Sequence, residues 1–287
     1  MAEKLRIPAM YEMVREGTPL SMITCYDNPT AHIIDQAGVD IVLVGDSVAM
    51  TVLGHETTLP ATMDMMIIFA EAVSRGCKRA FVIGDMPYMS YQISASEAIR
   101  NAGRFMAEAA VDGVKLEGGR AMVPAVRGIV NAGIPVMGHL GLTPQSTSAI
   151  GGLKVQGRTG ADAIALLEDA LALQEAGAWA ILLELVPARV TDIIAEKLDI
   201  PTISIGSGGG TSGQCQIFHD AVGMFDRFTP RHAKKYAEVG ATLREAMAQF
   251  VSDIQTKAYP GPENSFKVSR AALAEFREYV ASKDANA

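Results

Sequence analysis

The feature that most constrains this chain is a repeat of short apolar runs, each closing on a polar or charged residue. Runs at 22–26, 41–44, 81–83, 114–116, 135–137, 180–183, 202–205 and 216–218 read as strands. Several, such as 41–44 (IVLV), are continuous rather than alternating in hydrophobicity, the pattern of parallel strands covered on both faces. Segments with helical spacing lie between them. Ser94 and Glu97 stand at capping-box spacing before a helix carrying Ile99, Ala102, Met106 and Ala110 near one face. A second helix is predicted from near Thr159 to Gly177, with Ile164, Leu167 and Leu171 as its apolar stripe. Repeated strand–helix units suggest either a barrel or a doubly wound sheet, and periodicity does not choose between them.

The 287 residues exceed the usual single-domain length, yet α/β barrels run to about 250 residues around one core, so length does not demand two domains. A net charge of -7 with no dense Lys/Arg cluster argues against a nucleic-acid partner. Cys25, Cys77 and Cys215 are widely spaced and form no C-x-x-C pair, which disfavours a disulfide framework or a structural zinc site. The start of the chain lacks the apolar core of a signal peptide, and no run reaches membrane-spanning length. A soluble, cytoplasmic protein with no membrane or nucleic-acid partner is expected.

The residues that close the runs carry the chemistry. They are Asp27, Asp46 with Ser47, Asp85, Glu117, His139, Glu184, Ser207 and His219 with Asp220. In a barrel all would point into one mouth, where catalytic groups gather. A carboxylate ending a buried strand is costly to desolvate unless it meets a cation or hydrogen-bond donors. Asp46, Asp85 and Glu117 offer hard oxygen donors with no Cys among them, which suits Mg2+ or Mn2+ and disfavours zinc. The alternative for any one acid is a cap on the following helix, and Asp27, before Asn28 and Pro29, stands evenly between the two.

Lys115 and Glu117 lie on the same side of their strand. Lys115 either binds an anionic substrate or forms an ion pair with a neighbouring acid. Glu184, in the apolar setting LLELVP, is either a base strengthened by burial or half of a structural ion pair. Residues 208–213 (GGGTSG) match a dinucleotide-binding G-x-G-x-x-G pattern. No clear helix follows it, and Asp220 is too close to be the ribose-binding acid, so a flexible loop at the mouth is expected instead. His219-Asp220 has no nucleophile elbow to serve, and a structural histidine is expected there.

Several segments, taken together, resemble the ketopantoate hydroxymethyltransferase family. They are 24–27 (TCYD), 44–47 (VGDS), 50–60 (MTVLGHETTLP), 84–87 (GDMP), 114–119 (VKLEGG) and 138–145 (GHLGLTPQ). Residues 152–158 (GLKVQGR), 183–187 (LELVP) and 259–261 (YPG) continue the series in family order. The resemblance implies an α/β fold, a (β/α)8 TIM barrel of the phosphoenolpyruvate/pyruvate-binding type. A single barrel domain is then expected over 1–287, with a helix before the first strand and a helical tail from about 269 that frays at 284–287.

The resemblance also implies transfer of a hydroxymethyl group from 5,10-methylenetetrahydrofolate, as co-substrate, to 3-methyl-2-oxobutanoate, giving 2-dehydropantoate for pantothenate and coenzyme A synthesis. By position, Asp46 and Asp85 are expected to bind Mg2+, with Glu117 holding it directly or through water. Asp46, Ser47, Asp85, Lys115 and His139 are expected around the oxo acid, and Glu184 as the general base. The folate-binding residues are not assigned, and a ring-like homo-oligomer, commonly a decamer, is implied. Ser212 stands where the family usually has an acid, in a loop expected at the mouth. The rivals are another metal-dependent 2-oxo acid lyase or mutase on the same barrel, or a catalytically silent barrel that binds a small acid or serves as an assembly subunit. Gly76-Cys-Lys78 does not supply the reactive loop cysteine common in the lyases.

Overall fold

The computed structural model describes residues 3–224 and 230–285. Its strands are β1 (Leu20–Thr24), β2 (Ile41–Val44), β3 (Phe81–Asp85), β4 (Gly113–Glu117), β5 (Val136–Gly141), β6 (Ala180–Glu184), β7 (Thr202–Ile205) and β8 (Gly213–Gln216). They close into a barrel in sequence order, every neighbouring pair parallel. This is the (β/α)8 TIM barrel, and closure decides between the two architectures that periodicity left open.

Alternation along the strands sorts the apolar residues into two cores. Val42, Val44, Val82, Val114, Leu116, Ile181 and Leu183 face outward and pack with helical residues such as Ala70, Phe105, Val126 and Leu173. Ile41, Leu43, Phe81, Ile83, Met137, Leu182 and Ile203 fill the barrel interior. Gly84 lies where a Cβ would come within 2.4 Å of the Phe105 ring, so only glycine lets the helix Ala95–Ala107 approach this closely. The helix Ile7–Arg15 contributes fully buried Met10 to the interior core, and its Tyr11 hydroxyl donates to the Trp179 carbonyl at 2.9 Å. Trp179 meets Phe81 edge-on at 5.4 Å between centroids. Apolar residues thus plug one end of the barrel and leave the strand C-termini for polar groups.

Four expectations need correction. The first strand begins two residues earlier than predicted, because Leu20 pairs with Gly213 of β8. The last strand is Gly213–Gln216 rather than 216–218, and His219 and Asp220 lie on a single helical turn, Phe218–Ala221. Among the described residues no helix separates β7 from β8; the glycine-rich run 206–212 returns the chain directly. That run ends at the opposite end of the barrel from the mouth. Ser212 accepts from the N–H of Leu20 through its carbonyl at 2.8 Å and from the N–H of Thr202, the first residue of β7, through its hydroxyl at 3.3 Å. Ser212 is therefore not at the mouth.

The helix faces also differ. Gly160–Glu175, capped by the Thr159 hydroxyl, buries Leu166, Ala170 and Leu173, while Ile164 and Leu171 are exposed. Apolar residues surround most of this helix, so spacing does not single out one face. In Ala95–Ala107 the Ser94 hydroxyl accepts from the Glu97 N–H at 3.1 Å, and the buried residues are Ala98, Asn101, Ala102 and Phe105. Ile99 and Met106 pack at the edge of the core, and Ala110 lies beyond the helix end.

The chain forms two compact units, Met1–Ala237 and Glu238–Ala287. The second comprises the helices Val239–Thr256 and Arg270–Asp284, with a ring contact between Phe250 and Tyr259 and Ser269 capping the final helix. The end expected to fray is described only as far as Ala285. Among the described residues no helix is long and apolar enough to cross a membrane.

Candidate active site

The inward-facing positions change character along each strand. β3 runs Phe81, Ile83, Asp85; β4 ends Lys115, Glu117; β5 runs Met137, His139; β6 runs Ala180, Leu182, Glu184. Strand register makes Lys115 the partner of Asp85, Glu117 the partner of His139, and Glu184 the partner of Gly141 and Ile205. The result is a cavity of about 470 Å³ lined by Asp46, Ser47, Asp85, Lys115, Glu117, His139 and Glu184. Apolar residues including Met50, Leu142, Leu153 and Leu185 form part of its wall.

Lys115 Nζ lies 2.6 Å from Asp85 Oδ1, and the other Asp85 oxygen accepts from the Asp46 N–H at 3.1 Å. Burial pushes the Asp46 carboxyl well above the usual carboxylate range; Asp85 and Glu117 add to this, and Lys115 opposes it. Burial alone would depress the Lys115 ammonium, but Asp85, Glu117 and Asp46 outweigh it and hold the group charged. The ion pair and the substrate-binding role, alternatives for Lys115 in the sequence, coexist geometrically, because Lys115 both pairs with Asp85 and lines the cavity.

His139 lies between two acids, with Nδ1 3.4 Å from Glu117 Oε1 and Nε2 3.1 Å from Glu184 Oε2. Neither contact is aligned as a hydrogen bond. Burial and Lys115 depress the imidazole, but Glu117 and Glu184 overcome both and raise it to about 9. The backbone holds Glu184 firmly. Its carbonyl accepts from the Leu142 N–H at 2.8 Å, and a Cβ on Gly141 would come within 2.2 Å of that carbonyl oxygen. Leu185 follows in the left-handed region at φ 46, an unusual conformation for a non-glycine residue and one concentrated at functional sites.

Of the other strand-end residues, Asp220 joins the cavity lining, and Asp27, Ser207 and His219 serve the scaffold. Asp27 caps the helix Asn28–Gln36 by accepting from the Thr30 N–H at 2.8 Å. Ser207 donates to the Leu183 carbonyl and accepts from the Val186 N–H. His219 lies 5.5 Å from the Tyr26 ring, and Tyr26 shares a 2.8 Å hydrogen bond with Ser47. Cys215 is buried on the cavity wall, its thiol pushed up to about 12 by burial. Two residues that sequence reasoning passed over stand behind the acids: Gln145, bonded to Asp46 and Glu117, and Tyr91, bonded to Gln145. Gln145 stands in the quoted motif 138–145, but nothing local marks its partners.

The oxygen donors that could hold a cation are Asp46, Asp85 and Glu117. Asp46 and Asp85 crowd negative charge in a buried place, and Glu117 Oε1 is buried without an aligned hydrogen bond. Both are conditions that a divalent cation relieves. Among the described residues no three His, Cys, Asp or Glu side chains converge as a ready-made cage. Mg2+ commonly takes one or two carboxylates and completes its shell with water and substrate oxygens, and this donor set fits that habit.

Residues 4–262 match the sequence model of the family described as ketopantoate hydroxymethyltransferase. The chain is 49% identical to a 3-methyl-2-oxobutanoate hydroxymethyltransferase from Chloroflexus aurantiacus over 271 residues, 94% of this chain and 96% of its relative. It is 51% identical to the protein of that name from Syntrophobacter fumaroxidans over 247 residues, 86% and 88% of the two chains. Among solved structures, a phosphonopyruvate hydrolase aligns with a TM-score of 0.61 at 10% identity, covering 99% of this chain and 98% of that one. A 2,3-dimethylmalate lyase of the PEP mutase/isocitrate lyase superfamily aligns with a TM-score of 0.53 at 14% identity, covering 98% and 97%. These two share the barrel fold. The extent and identity of the sequence matches are decisive: the chain belongs to the ketopantoate hydroxymethyltransferase family.

Proposed function

We propose that this chain transfers a hydroxymethyl group from 5,10-methylenetetrahydrofolate to 3-methyl-2-oxobutanoate, giving 2-dehydropantoate. The observation that carries this reading is one cavity holding the buried Asp85–Lys115 pair beside Asp46, with Glu184 fixed near His139. Asp46 and Asp85 would hold Mg2+, with Glu117 contributing directly or through water. When bound, the cation draws negative charge onto the keto oxygen and so makes the adjacent C3 proton more acidic.

Glu184 removes that proton, working as general base from its backbone-clamped position. His139, cationic below about pH 9, places its positive charge 3.1 Å from Glu184 Oε2. Lys115 supplies positive charge for the oxo acid, and Ser47 lines the same wall. The enolate carbon then bonds to the methylene carbon as the bond from that carbon to one folate nitrogen breaks. Water displaces the second folate nitrogen and supplies the hydroxyl oxygen, and the C3 proton and one water proton end on the two nitrogens of tetrahydrofolate. Apolar residues such as Leu142 and Leu185 limit water around the reacting carbon.

The reading extends to a cytoplasmic homo-oligomer, a decamer by family membership. Exposed Leu243, Met247, Phe250 and Ile254 on the helix Val239–Thr256 support an assembly that covers them, and sedimentation of the purified protein tests it. The activity is tested by mass-spectrometric detection of 2-dehydropantoate with Mg2+ and both substrates. Product that depends on folate and falls at least about a hundredfold in Glu184→Gln supports the assignment. Cleavage of a 2-oxo acid without folate would instead favour the lyase alternative.

A further inference from the structure

Gln145 is 5% exposed, does not line the cavity, and yet touches two of the acids that face it. Its carboxamide Nε2 donates to Asp46 Oδ2 at 2.9 Å and to the Met86 carbonyl at 3.0 Å. Its Oε1 accepts from the Tyr91 hydroxyl at 2.7 Å and from Gln92 Nε2 at 3.2 Å. Its backbone N–H donates to Glu117 Oε2 at 3.0 Å. The side chain thus uses both donors and accepts twice, and its backbone N–H reaches a second carboxylate.

The direction of every bond is fixed. The Tyr91 hydroxyl accepts from the Glu117 N–H at 3.1 Å, so its single proton goes to Gln145 Oε1. The Met86 carbonyl only accepts, so the amide nitrogen must face it. The second amide hydrogen therefore points at Asp46 Oδ2, which accepts it. The same residue thus engages one oxygen of each carboxylate. Asp46 Oδ1 has no protein donor among the described residues, and Glu117 Oε1 has His139 Nδ1 at 3.4 Å but no aligned hydrogen bond.

We propose that Gln145, locked in orientation by Tyr91, is a positioning residue that occupies Asp46 Oδ2 and Glu117 Oε2 and so reserves Asp46 Oδ1 and Glu117 Oε1 for the divalent cation. This rests on the cation reading above. Gln145 acts entirely through Asp46 and Glu117, as an outer-shell partner that orients ligands. Without it, the Asp46 carboxyl loses the donor that fixes its Oδ2 and is free to rotate.

The test is Mn2+ binding to the full-length protein, read from the loss of the free-ion signal in electron paramagnetic resonance, with no substrate present. Gln145→Met removes the side-chain donor; Gln145→Glu keeps the shape and the acceptor for Tyr91 but places an acceptor against Asp46. Both are expected to weaken Mn2+ roughly 10–100-fold. Tyr91→Phe is expected to weaken it less, and to add nothing to Gln145→Met, because its effect runs through the amide. If Gln145→Met does not fold, Gln145→Glu and Tyr91→Phe carry the comparison. Wild-type affinity in both Gln145→Glu and Tyr91→Phe overturns the proposal while leaving the cation site standing. Full additivity of Tyr91→Phe with Gln145→Met also overturns it. Failure of the wild-type protein to bind Mn2+ overturns the cation reading itself, and the positioning role with it.

Discussion

Lys115 and Asp85 are register partners on adjacent strands, and their side chains meet at 2.6 Å with both sealed from water. Removing one member of such a pair leaves an uncompensated buried charge. Lys115→Met is predicted to lose about 3–5 kcal/mol of stability in urea unfolding, well above the cost of an exposed lysine. It is also predicted to raise the KM for the oxo acid, measured in steady-state assays at saturating folate.

His139 makes the stability depend on pH in a defined window. Its folded value, about 9, lies above the ordinary histidine value of 6.5, so its contribution is complete below about pH 6.5 and is lost as pH rises through about 9. The groups facing it are Glu117, Glu184 and Lys115. Urea unfolding between these limits should show stability falling with pH, by up to about 1.4 kcal/mol per unit from this group. His139→Asn should remove that component of the slope. Any decline above the thiol range from buried Cys25, Cys77 and Cys215 should remain.

Gly141 is where the backbone supports the base. Its φ of 91 and the 2.2 Å approach of a Cβ to the Glu184 carbonyl oxygen make alanine doubly unfavourable. Gly141→Ala is predicted to cost about 1–3 kcal/mol in thermal or urea unfolding. In the folded fraction it should slow proton abstraction more than it weakens oxo acid binding, because the displaced group is the base.

The opposite end of the barrel separates stability from chemistry. Met10 is fully buried in the interior core beside Trp179. Met10→Ala should therefore cost about 2–5 kcal/mol with kcat and KM near wild type at temperatures where the protein is folded. A matched fall in kcat would show that the plug communicates with the mouth.

Much of the barrel and the acids that line the cavity were legible in the sequence, because a strand covered on both faces must be apolar until it reaches the mouth. The run 41–44 and the transitions to Asp85, Glu117 and Glu184 follow that rule closely. β8 does not: Gly213 and Cys215 are buried, Gln214 is exposed, and the strand carries no apolar signature. Setting the last strand at 216–218 left Ser212 in a loop expected at the mouth, whereas it stands one residue before β8 at the other end of the barrel. Ile164 and Leu171 misled because their helix is apolar on several sides. Gln145 and Tyr91, 54 positions apart, meet only because two loops fold over the same mouth, and no periodicity encodes that.

The central claim is that Glu184 abstracts the C3 proton of the oxo acid in this cavity. The most direct measurement is proton–deuterium exchange at C3 of 3-methyl-2-oxobutanoate in heavy water, with Mg2+ and without folate, followed by NMR. The account predicts metal-dependent loss of the C3 signal with wild-type protein, slowed at least about a hundredfold in Glu184→Gln. Exchange at the wild-type rate in Glu184→Gln would contradict it and place the base elsewhere.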